Sequence, residues 1–150
     1  MMINIVPMMQ SHLDEMAALE QVCFSMPWSR SALNDELVNE YAAYFVAEDD
    51  AGKVAGYAGM HMMFDEAYIT NVAVRPDMRR QGISTALLRR LEGIAKMSGV
   101  TRMLLEVRRS NDAARSAYEK QGFRAIAERP RYYIKPTEDA IIYEKLLGEQ

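Results

Sequence analysis

The chain has 150 residues, 49% of them hydrophobic and 26% charged, which is the composition of an ordinary globular protein with one domain. Its formal net charge of −3 argues against a protein that coats nucleic acid, and its single cysteine, Cys23, excludes an internal disulfide. The first residues lack the features of a signal peptide and no apolar run is long enough to span a bilayer, so we expect residues 1–150 to form a single cytoplasmic domain without a membrane partner.

Capping signals predict two helices in the first third of the chain. Ser11 and Asp14 stand three residues apart, a variant of the capping box that indicates a helix start. The apolar face of this helix also carries Glu20. Pro27 ends the helix, and Ser29 is suited to cap a second one.

The rest of the chain is predicted to be mostly strands, with one long and one short helix between them. Apolar residues recur at helical spacing over residues 83–95, and Gly99 suits the left-handed position that ends such a helix. Asn111 can cap the short helix, which contains Tyr118 and closes near Gly122. Strands are expected over residues 3–6, 44–47, 54–63, 67–74, 103–107, 123–128 and 140–146. The order β-α-α-β-β-β-α-β-α-β-β predicts an α/β fold in which helices pack on a mixed sheet.

A basic turn joins the strand that ends at Val74 to the long helix. The sequence of this turn, VRPDMRRQGIS from Val74 to Ser84, places Arg79 and Arg80 before Gly82. A helix N-terminus behind such a turn presents unpaired backbone N–H groups to an oxyanion, and the arginines can add contacts to phosphate. A solvated basic loop explains the same residues equally well. Neither a P-loop nor the glycine triplet of dinucleotide-binding proteins is present.

Several spaced motifs resemble those of a known family. NVAVRP followed by RRQGIS, then LEVRRSN, then AYEKQGF are similar to the acetyl-CoA-binding signatures of the GNAT N-acetyltransferase superfamily. CFSMPWS near the start, ITNVAV in the middle and RPRYY near the end resemble the bacterial ribosomal-protein-alanine N-acetyltransferases. The resemblance covers nearly the whole chain. It implies a GNAT fold, in which helices flank a central and mostly antiparallel sheet.

The resemblance also implies where acetyl-CoA binds as the acetyl donor. In the family, the backbone of the strand before the turn holds the cofactor, and the turn and the helix start wrap its pyrophosphate. Ser84 stands where the family usually has glycine or alanine, and we expect its small side chain to leave binding intact. The implied positions are Val72, Ala73, Val74, Arg80, Gln81, Gly82, Ile83, Ser84, Thr85 and Asn111, to which the composition of the turn adds Arg79.

Acetyl transfer to an amine needs a base and an acid, and the resemblance implies Glu106 and Tyr118 for these roles. An α-amine has a pKa of about 8, so a base must remove a proton as the nitrogen attacks the thioester. The departing thiolate needs a proton, which a tyrosine can supply, and a backbone N–H near Val74 can meet the charge that develops on the carbonyl oxygen. From the residues alone, a Glu106 side chain that points to solvent from its strand is the favoured interpretation, and Tyr118 could simply pack on the sheet.

Other reactive or charged residues predict no site of their own. Cys23 is expected to be a small buried residue without a catalytic partner, and two histidines without clustered cysteines predict no metal site. Arg108 and Arg109 are expected to lie on a solvated face. Tyr132 and Tyr133 fit a substrate groove and ordinary strand packing about equally well.

These motifs predict an enzyme that moves an acetyl group from acetyl-CoA to the N-terminal alanine of a small-subunit ribosomal protein, without a metal. The acceptor follows from the resemblance alone. Other acceptors stay open, namely a lysine side chain, a polyamine or a small-molecule amine, as does a CoA-binding regulatory module without catalysis. Direct binding of nucleic acid through the arginine-bearing turn is disfavoured by the acidic charge balance.

Overall fold

The structure is a computed structural model that describes residues 2–148 and is built on a seven-stranded sheet. Its strands are β1 (Asn4–Pro7), β2 (Ala42–Glu48), β3 (Val54–Met63), β4 (Glu66–Val74), β5 (Arg102–Arg108), β6 (Arg124–Tyr133) and β7 (Glu138–Leu146). Its α-helices are α1 (Leu13–Cys23), α2 (Arg30–Glu36), α3 (Ile83–Met97) and α4 (Asp112–Lys120). The strands lie in the order β1-β2-β3-β4-β5-β7-β6, and every neighbouring pair is antiparallel except β4 and β5. The predicted order of elements and the mixed, mostly antiparallel sheet are confirmed.

Helices cover both faces of the sheet. Successive residues of β2 point to opposite faces of the sheet, so that Phe45 packs in one apolar cluster and Val46 in the other. On the Phe45 face, α3 buries its apolar stripe, which includes Leu87 and Leu91, against β2, β3 and β4. On the Val46 face, α1 and α2 pack together through residues such as Leu13. Burial of two such layers supplies the main free energy that holds the fold together.

Helix boundaries follow the predicted caps with one exception. Ser29 accepts a hydrogen bond from the Ala32 N–H at 3.0 Å at the start of α2, as predicted. The predicted cap at Ser11 is wrong, since α1 begins at Leu13 and Ser11 lies in a preceding 3₁₀ turn. There the buried ring of His12 accepts a hydrogen bond from the Met9 N–H at 3.0 Å. Its other nitrogen lies 2.7 Å from the carboxylate of Glu48. This long-range contact holds the His12 ring at the helix start, where the sequence predicted a local cap from Ser11.

The sheet ends on β6, which is longer than predicted. The expected strand stopped at residue 128, before Pro130, whereas β6 continues to Tyr133. An edge strand tolerates proline because one side of its backbone needs no ladder partner. No helix of the described residues is long and apolar enough to cross a membrane.

A bulge in β4 changes which side chains face which layer. Gly59 of β3 pairs with Asn71 and the next residue, Met60, pairs with Ile69, so Thr70 is an extra residue on β4. Before the bulge, Ile69 faces the α3 layer. After it, Asn71 and Ala73 face the α1 layer, because an inserted residue reverses the alternation of a strand.

Candidate active site

The two parallel strands of the sheet separate after a short common ladder. β4 and β5 pair only from Glu66↔Arg102 to Tyr68↔Leu104, and among the described residues neither strand pairs with the other beyond that point. The carboxyl-terminal halves of the two strands therefore enclose a gap, which we call the strand gap. Backbone N–H and C=O groups along its sides are available to a ligand, since a free strand edge can pair with an extended molecule. Val72, Ala73 and Val74 lie on this part of β4.

The predicted anion-binding turn lies at the end of the strand gap. Gly82 is the residue before α3 and has φ 76°, and Arg80 also has a left-handed φ of 64°. None of the described side chains caps the helix, so the N–H groups of its first turn, which contains Ile83, Ser84 and Thr85, are not satisfied by a cap. Nothing lies within 4 Å of the place where a Cβ would stand on Gly82. Left-handed residues before an uncapped helix of this length form a concave backbone surface that suits a phosphate group.

Arg79 takes a different direction from the rest of this turn. Its Nε lies 3.4 Å from the Val74 carbonyl oxygen and its Nη2 3.6 Å from the sulfur of Cys23. The Cys23 thiol also lies 3.6 Å from the same carbonyl oxygen, and it packs against the α1-side core partly rather than fully buried as predicted. The close packing of α1 against the end of β4 brings these three groups together.

Glu106 lies on β5 just beyond the last residue pair with β4. Its side chain is only 4% exposed, so the alternative of a solvent-facing carboxylate is wrong. Its Oε1 lies 3.6 Å from Nη1 of Arg129, whereas its buried Oε2 has no hydrogen bond of ordinary geometry to any described residue. A buried carboxylate oxygen without such a partner costs at least about 1–3 kcal/mol, and a catalytic role is one explanation for such an exception.

Tyrosine side chains surround the Glu106 carboxylate. The carboxylate raises the pKa of Tyr132 above its ordinary value. Burial and the same carboxylate raise the pKa values of Tyr68 and Tyr133. Tyr132 is 44% exposed, and a place for it in a substrate groove stays a prediction.

Tyr118 of α4 is a partly buried residue on the α3 side of the sheet. It packs on the α3-side core, with its ring centroid 6.0 Å from that of Phe123 and 6.3 Å from that of Tyr143. Burial raises the pKa of its hydroxyl to about 12. Glu106 lies on the other face, since the next residue on its side of β5, Arg108, contacts the loop after α1. Tyr118 and Glu106 thus lie on opposite faces of the sheet, and their roles as acid and base stay predictions.

Two further predicted positions, Asn111 and Thr85, lie at opposite ends of α4. The Oδ1 of Asn111 accepts a hydrogen bond from the Ala114 N–H at 3.2 Å, which confirms its role as a helix cap. The hydroxyl of Thr85 lies 3.5 Å from Nε2 of Gln121 at the end of α4. Asn111 therefore lies near the carboxyl end of β5, at the same edge of the sheet as the anion-binding turn, and a contact from it to a cofactor stays a prediction.

Comparison with known proteins identifies the family to which this site belongs. Residues 13–123 match the acetyltransferase (GNAT) family. The chain belongs to that family. GNAT enzymes take the acetyl group from acetyl-CoA, so the protein is an acetyltransferase with acetyl-CoA as its donor.

The relatives of this GNAT chain include enzymes with a named acceptor. A protein of Escherichia coli (strain K12) called ribosomal protein bS18-alanine N-acetyltransferase is 38% identical over 128 residues, which cover 83% of this chain and 84% of the relative. A protein of Haemophilus influenzae with the same name is 34% identical over 127 residues, 83% of this chain and 85% of the relative. The crystal structure of the ribosomal-protein-S18-alanine N-acetyltransferase from Escherichia coli superposes with a TM-score of 0.90 at 34% identity, covering 99% of this chain and 96% of that one.

Two parts of the site escaped the sequence analysis. The first is a buried polar network around Glu20, which is 1% exposed. Its Oε1 accepts a hydrogen bond from the Trp28 N–H at 2.8 Å, and its Oε2 accepts one from the Tyr57 hydroxyl and one from Nδ2 of Asn71 at 3.4 Å. The network ties the loop after α1 to the bulged part of β4. A glutamate on the apolar face of a helix was the available signal, because a buried carboxylate must find partners.

The second is Arg108, which was expected on a solvated face together with Arg109. The expectation is correct for Arg109, whose side chain is 62% exposed, and wrong for Arg108, whose side chain is 23% exposed. Successive residues of a strand point to opposite faces, so the pair could not share one environment.

Proposed function

We propose that this GNAT chain acetylates the N-terminal α-amine of a protein, and that the N-terminal alanine of ribosomal protein bS18 is its acceptor. The names of the relatives supply the identity of the acceptor. The observation that carries the proposal is the unpaired buried oxygen of Glu106 at the strand gap, which suits a group that must receive a proton from an incoming amine.

Acetyl-CoA would be held along β4 and around the start of α3. The free edge of β4 at Val72, Ala73 and Val74 offers backbone groups to the extended arm of the donor. The first turn of α3 and the left-handed Arg80 and Gly82 offer N–H groups to its pyrophosphate. Gln81, Ile83, Ser84 and Thr85 complete this surface, and Asn111 approaches from the start of α4. Arg79 would contact the phosphates only after leaving its contacts with Val74 and Cys23.

The acceptor would enter from the side on which Glu106 lies. An α-amine with a pKa of about 8 is mostly protonated at neutral pH, and only its neutral form attacks the thioester carbonyl. The carboxylate of Glu106 takes the proton as the nitrogen–carbon bond forms. A backbone N–H of β4 near Val74 stabilises the negative charge on the carbonyl oxygen in this step.

Tyr118 would donate a proton to the sulfur as the carbon–sulfur bond breaks. A thiol in water has a pKa of about 8.5, well below the value of about 12 that burial gives the Tyr118 hydroxyl. The thiolate, however, leaves within the same buried environment, and burial raises the pKa of a thiol for the same reason that it raises that of a phenol. The difference that opposes proton transfer is therefore smaller than the two values suggest.

The proposal is tested with intact-mass analysis of two peptides incubated with acetyl-CoA. Both begin with alanine and contain a lysine, and one has a blocked N-terminus. We expect one acetyl group on the free peptide and none on the blocked one, and we expect Glu106→Gln to lower kcat by about a hundredfold or more, the usual contribution of a general base. Modification of both peptides would move the reaction to lysine and overturn the proposed acceptor.

A further inference from the structure

The guanidinium group of Arg108 joins two loops that are far apart in the sequence. Its Nη2 donates to the Ser25 hydroxyl at 3.2 Å and to the Ile134 carbonyl oxygen at 3.0 Å. Its Nη1 donates to the Pro136 carbonyl oxygen at 2.9 Å and lies 3.3 Å from a carboxylate oxygen of Glu138. One side chain thus connects residues 24–29, the α1–α2 loop, to residues 134–137, the β6–β7 turn.

Arg108 is held in this position from a second direction. Its guanidinium lies over the ring of Tyr133, 4.6 Å from the centroid, which is a favourable cation–π arrangement. The planar, five-donor guanidinium can satisfy two loops and stack on a ring at once, whereas a lysine ammonium is a compact charge without a planar fork.

The two loops lie on the face of the sheet that carries Glu106. Arg108 lies two residues beyond Glu106 on β5 and therefore on the same face of the sheet. Tyr132, which borders the Glu106 carboxylate, lies at the end of β6 where the β6–β7 turn begins. We call the region between the α1–α2 loop and the β6–β7 turn, on the Glu106 face of the sheet, the acceptor entrance. Both loops carry exposed apolar side chains beside it, among them Met26 (51% exposed) and Ile134 (47% exposed).

We propose that Arg108 is a positioning residue that ties the α1–α2 loop to the β6–β7 turn and thereby fixes the width of the acceptor entrance beside Glu106. This inference rests on the proposed transfer to a peptide acceptor. Arg108 acts through the loops and touches neither the donor surface on β4 and α3 nor the carboxylate of Glu106. Its loss should therefore weaken productive binding of the peptide and leave use of acetyl-CoA unchanged.

The test compares Arg108→Lys with Arg109→Lys. Both changes keep the charge, and Arg109 is a matched control because it is adjacent, exposed and paired only with surface carboxylates, at 2.6 Å from Glu128 and 4.0 Å from Asp139. We expect Arg108→Lys to raise the KM for the peptide about tenfold or more, as for the loss of one or two charged hydrogen bonds. The KM for acetyl-CoA and the kcat should stay within about twofold of wild type, and Arg109→Lys should match wild type. Equal peptide KM values for the two variants, or an equal rise in both KM values of Arg108→Lys, would overturn the inference.

A double-mutant cycle with Ser25→Ala distinguishes the link between the loops from a general loss of structure. Ser25→Ala alone should raise the peptide KM by a smaller factor, and it should add nothing further in the Arg108→Lys background, because the contact is already broken there. If the two substitutions raise the peptide KM by independent factors that multiply, the link between the loops does not explain the effect of Arg108→Lys.

Amide hydrogen exchange gives a readout that does not need the acceptor. Arg108→Lys should speed exchange in the α1–α2 loop and in the β6–β7 turn together, with no change in β2 and β3, while Arg109→Lys changes neither loop. Unchanged exchange in both loops would contradict the role of Arg108 whatever the acceptor is. If the wild-type chain acetylates no peptide although exchange behaves as expected, the proposed function fails and only the link between the loops stands.

Discussion

Glu106 and Tyr118 are both withdrawn from solvent, yet their surroundings differ in kind. Glu106 has a charged neighbour, Arg129, and three nearby tyrosines, while one of its own oxygens is left without a hydrogen bond. Tyr118 sits among rings of the core, and burial alone raises the pKa of its hydroxyl to about 12. A raised pKa keeps the phenol protonated over the whole working range of the enzyme, which is the form that an acid catalyst needs.

Tyr118 yields a prediction about pH dependence. A group with a pKa of about 12 stays protonated as the pH rises, so kcat of the wild-type enzyme should not decline between about pH 8 and pH 10. Tyr118→Phe should lower kcat about a hundredfold, while Tyr41→Phe, at an exposed position, should leave it unchanged. Steady-state kinetics across this pH range would check both points. A loss of wild-type activity centred near pH 10 would contradict the assignment, since that is the value of an unburied tyrosine.

At the scale of elements, the β4 bulge depends on one glycine of β3. A Cβ on Gly59 would stand 2.1 Å from the Tyr44 ring, which crosses directly over this residue. The Tyr44 hydroxyl lies 2.5 Å from that of Thr70, the bulged residue, and donates to Oδ1 of Asn71 at 3.2 Å. Because Gly59 has no side chain, Tyr44 of β2 can hold the bulge in place through these contacts. The part of β4 that does not pair with β5 continues from the bulge to Val74.

Replacing Gly59 should destabilise the fold. Gly59→Ala would force the Tyr44 ring to move, and such overpacking typically costs about 1–3 kcal/mol of the free energy of unfolding. Gly93→Ala is the matched control, because Gly93 lies inside α3 with open space around it. Alanine is the better helix former there by about 0.8–1 kcal/mol, so this variant should be more stable than wild type. Chemical denaturation of the three proteins would measure both changes, and equal stability of Gly59→Ala and wild type would refute the packing argument.

Across the whole molecule, the sheet consists of two parts joined by a short ladder. Strands β1 to β4 form one part, and β5 to β7 form the other. Among the described residues, the ladder between β4 and β5 contains three residue pairs. Packing of α3 and the Arg108 contacts add further links across this division. A donor molecule bound in the strand gap would add contacts to both parts at once.

Binding of CoA should therefore stabilise the protein as a unit. A ligand present at 100 times its Kd adds about 2.7 kcal/mol to the free energy of unfolding of a protein that binds it only when folded. We expect a rise in Tm that grows with the logarithm of the CoA concentration. Gly82→Ala, which places a side chain at φ 76°, should need more CoA for the same rise. Thermal melts at several CoA concentrations would test this, and a Tm independent of CoA would contradict the binding surface proposed here.

Local sequence signals were sufficient for the elements and for the left-handed geometry of the turn before α3. Ser29 and Asn111 cap their helices as predicted because a cap is a contact between residues only three positions apart. Gly82 and Gly99 adopt left-handed conformations for an equally local reason, the absence of a Cβ. The cap predicted at Ser11 is wrong because a distant carboxylate, on Glu48, holds the ring of His12 in its place.

The sequence by itself determined the order of strands and helices, the turn that suits a phosphate and the motifs that point to a GNAT enzyme, because each depends on neighbours along the chain. Only the tertiary structure decided which charged side chains are buried. Arg108 meets Ser25 across 83 positions and Glu20 meets Asn71 across 51, and no local pattern contains such contacts. The parting of β4 from β5 was likewise decided by long-range packing, since the composition of either strand would have allowed a continuous ladder. That parting leaves the strand gap, and Glu106 and the partly buried Tyr118 lie on opposite faces of the sheet.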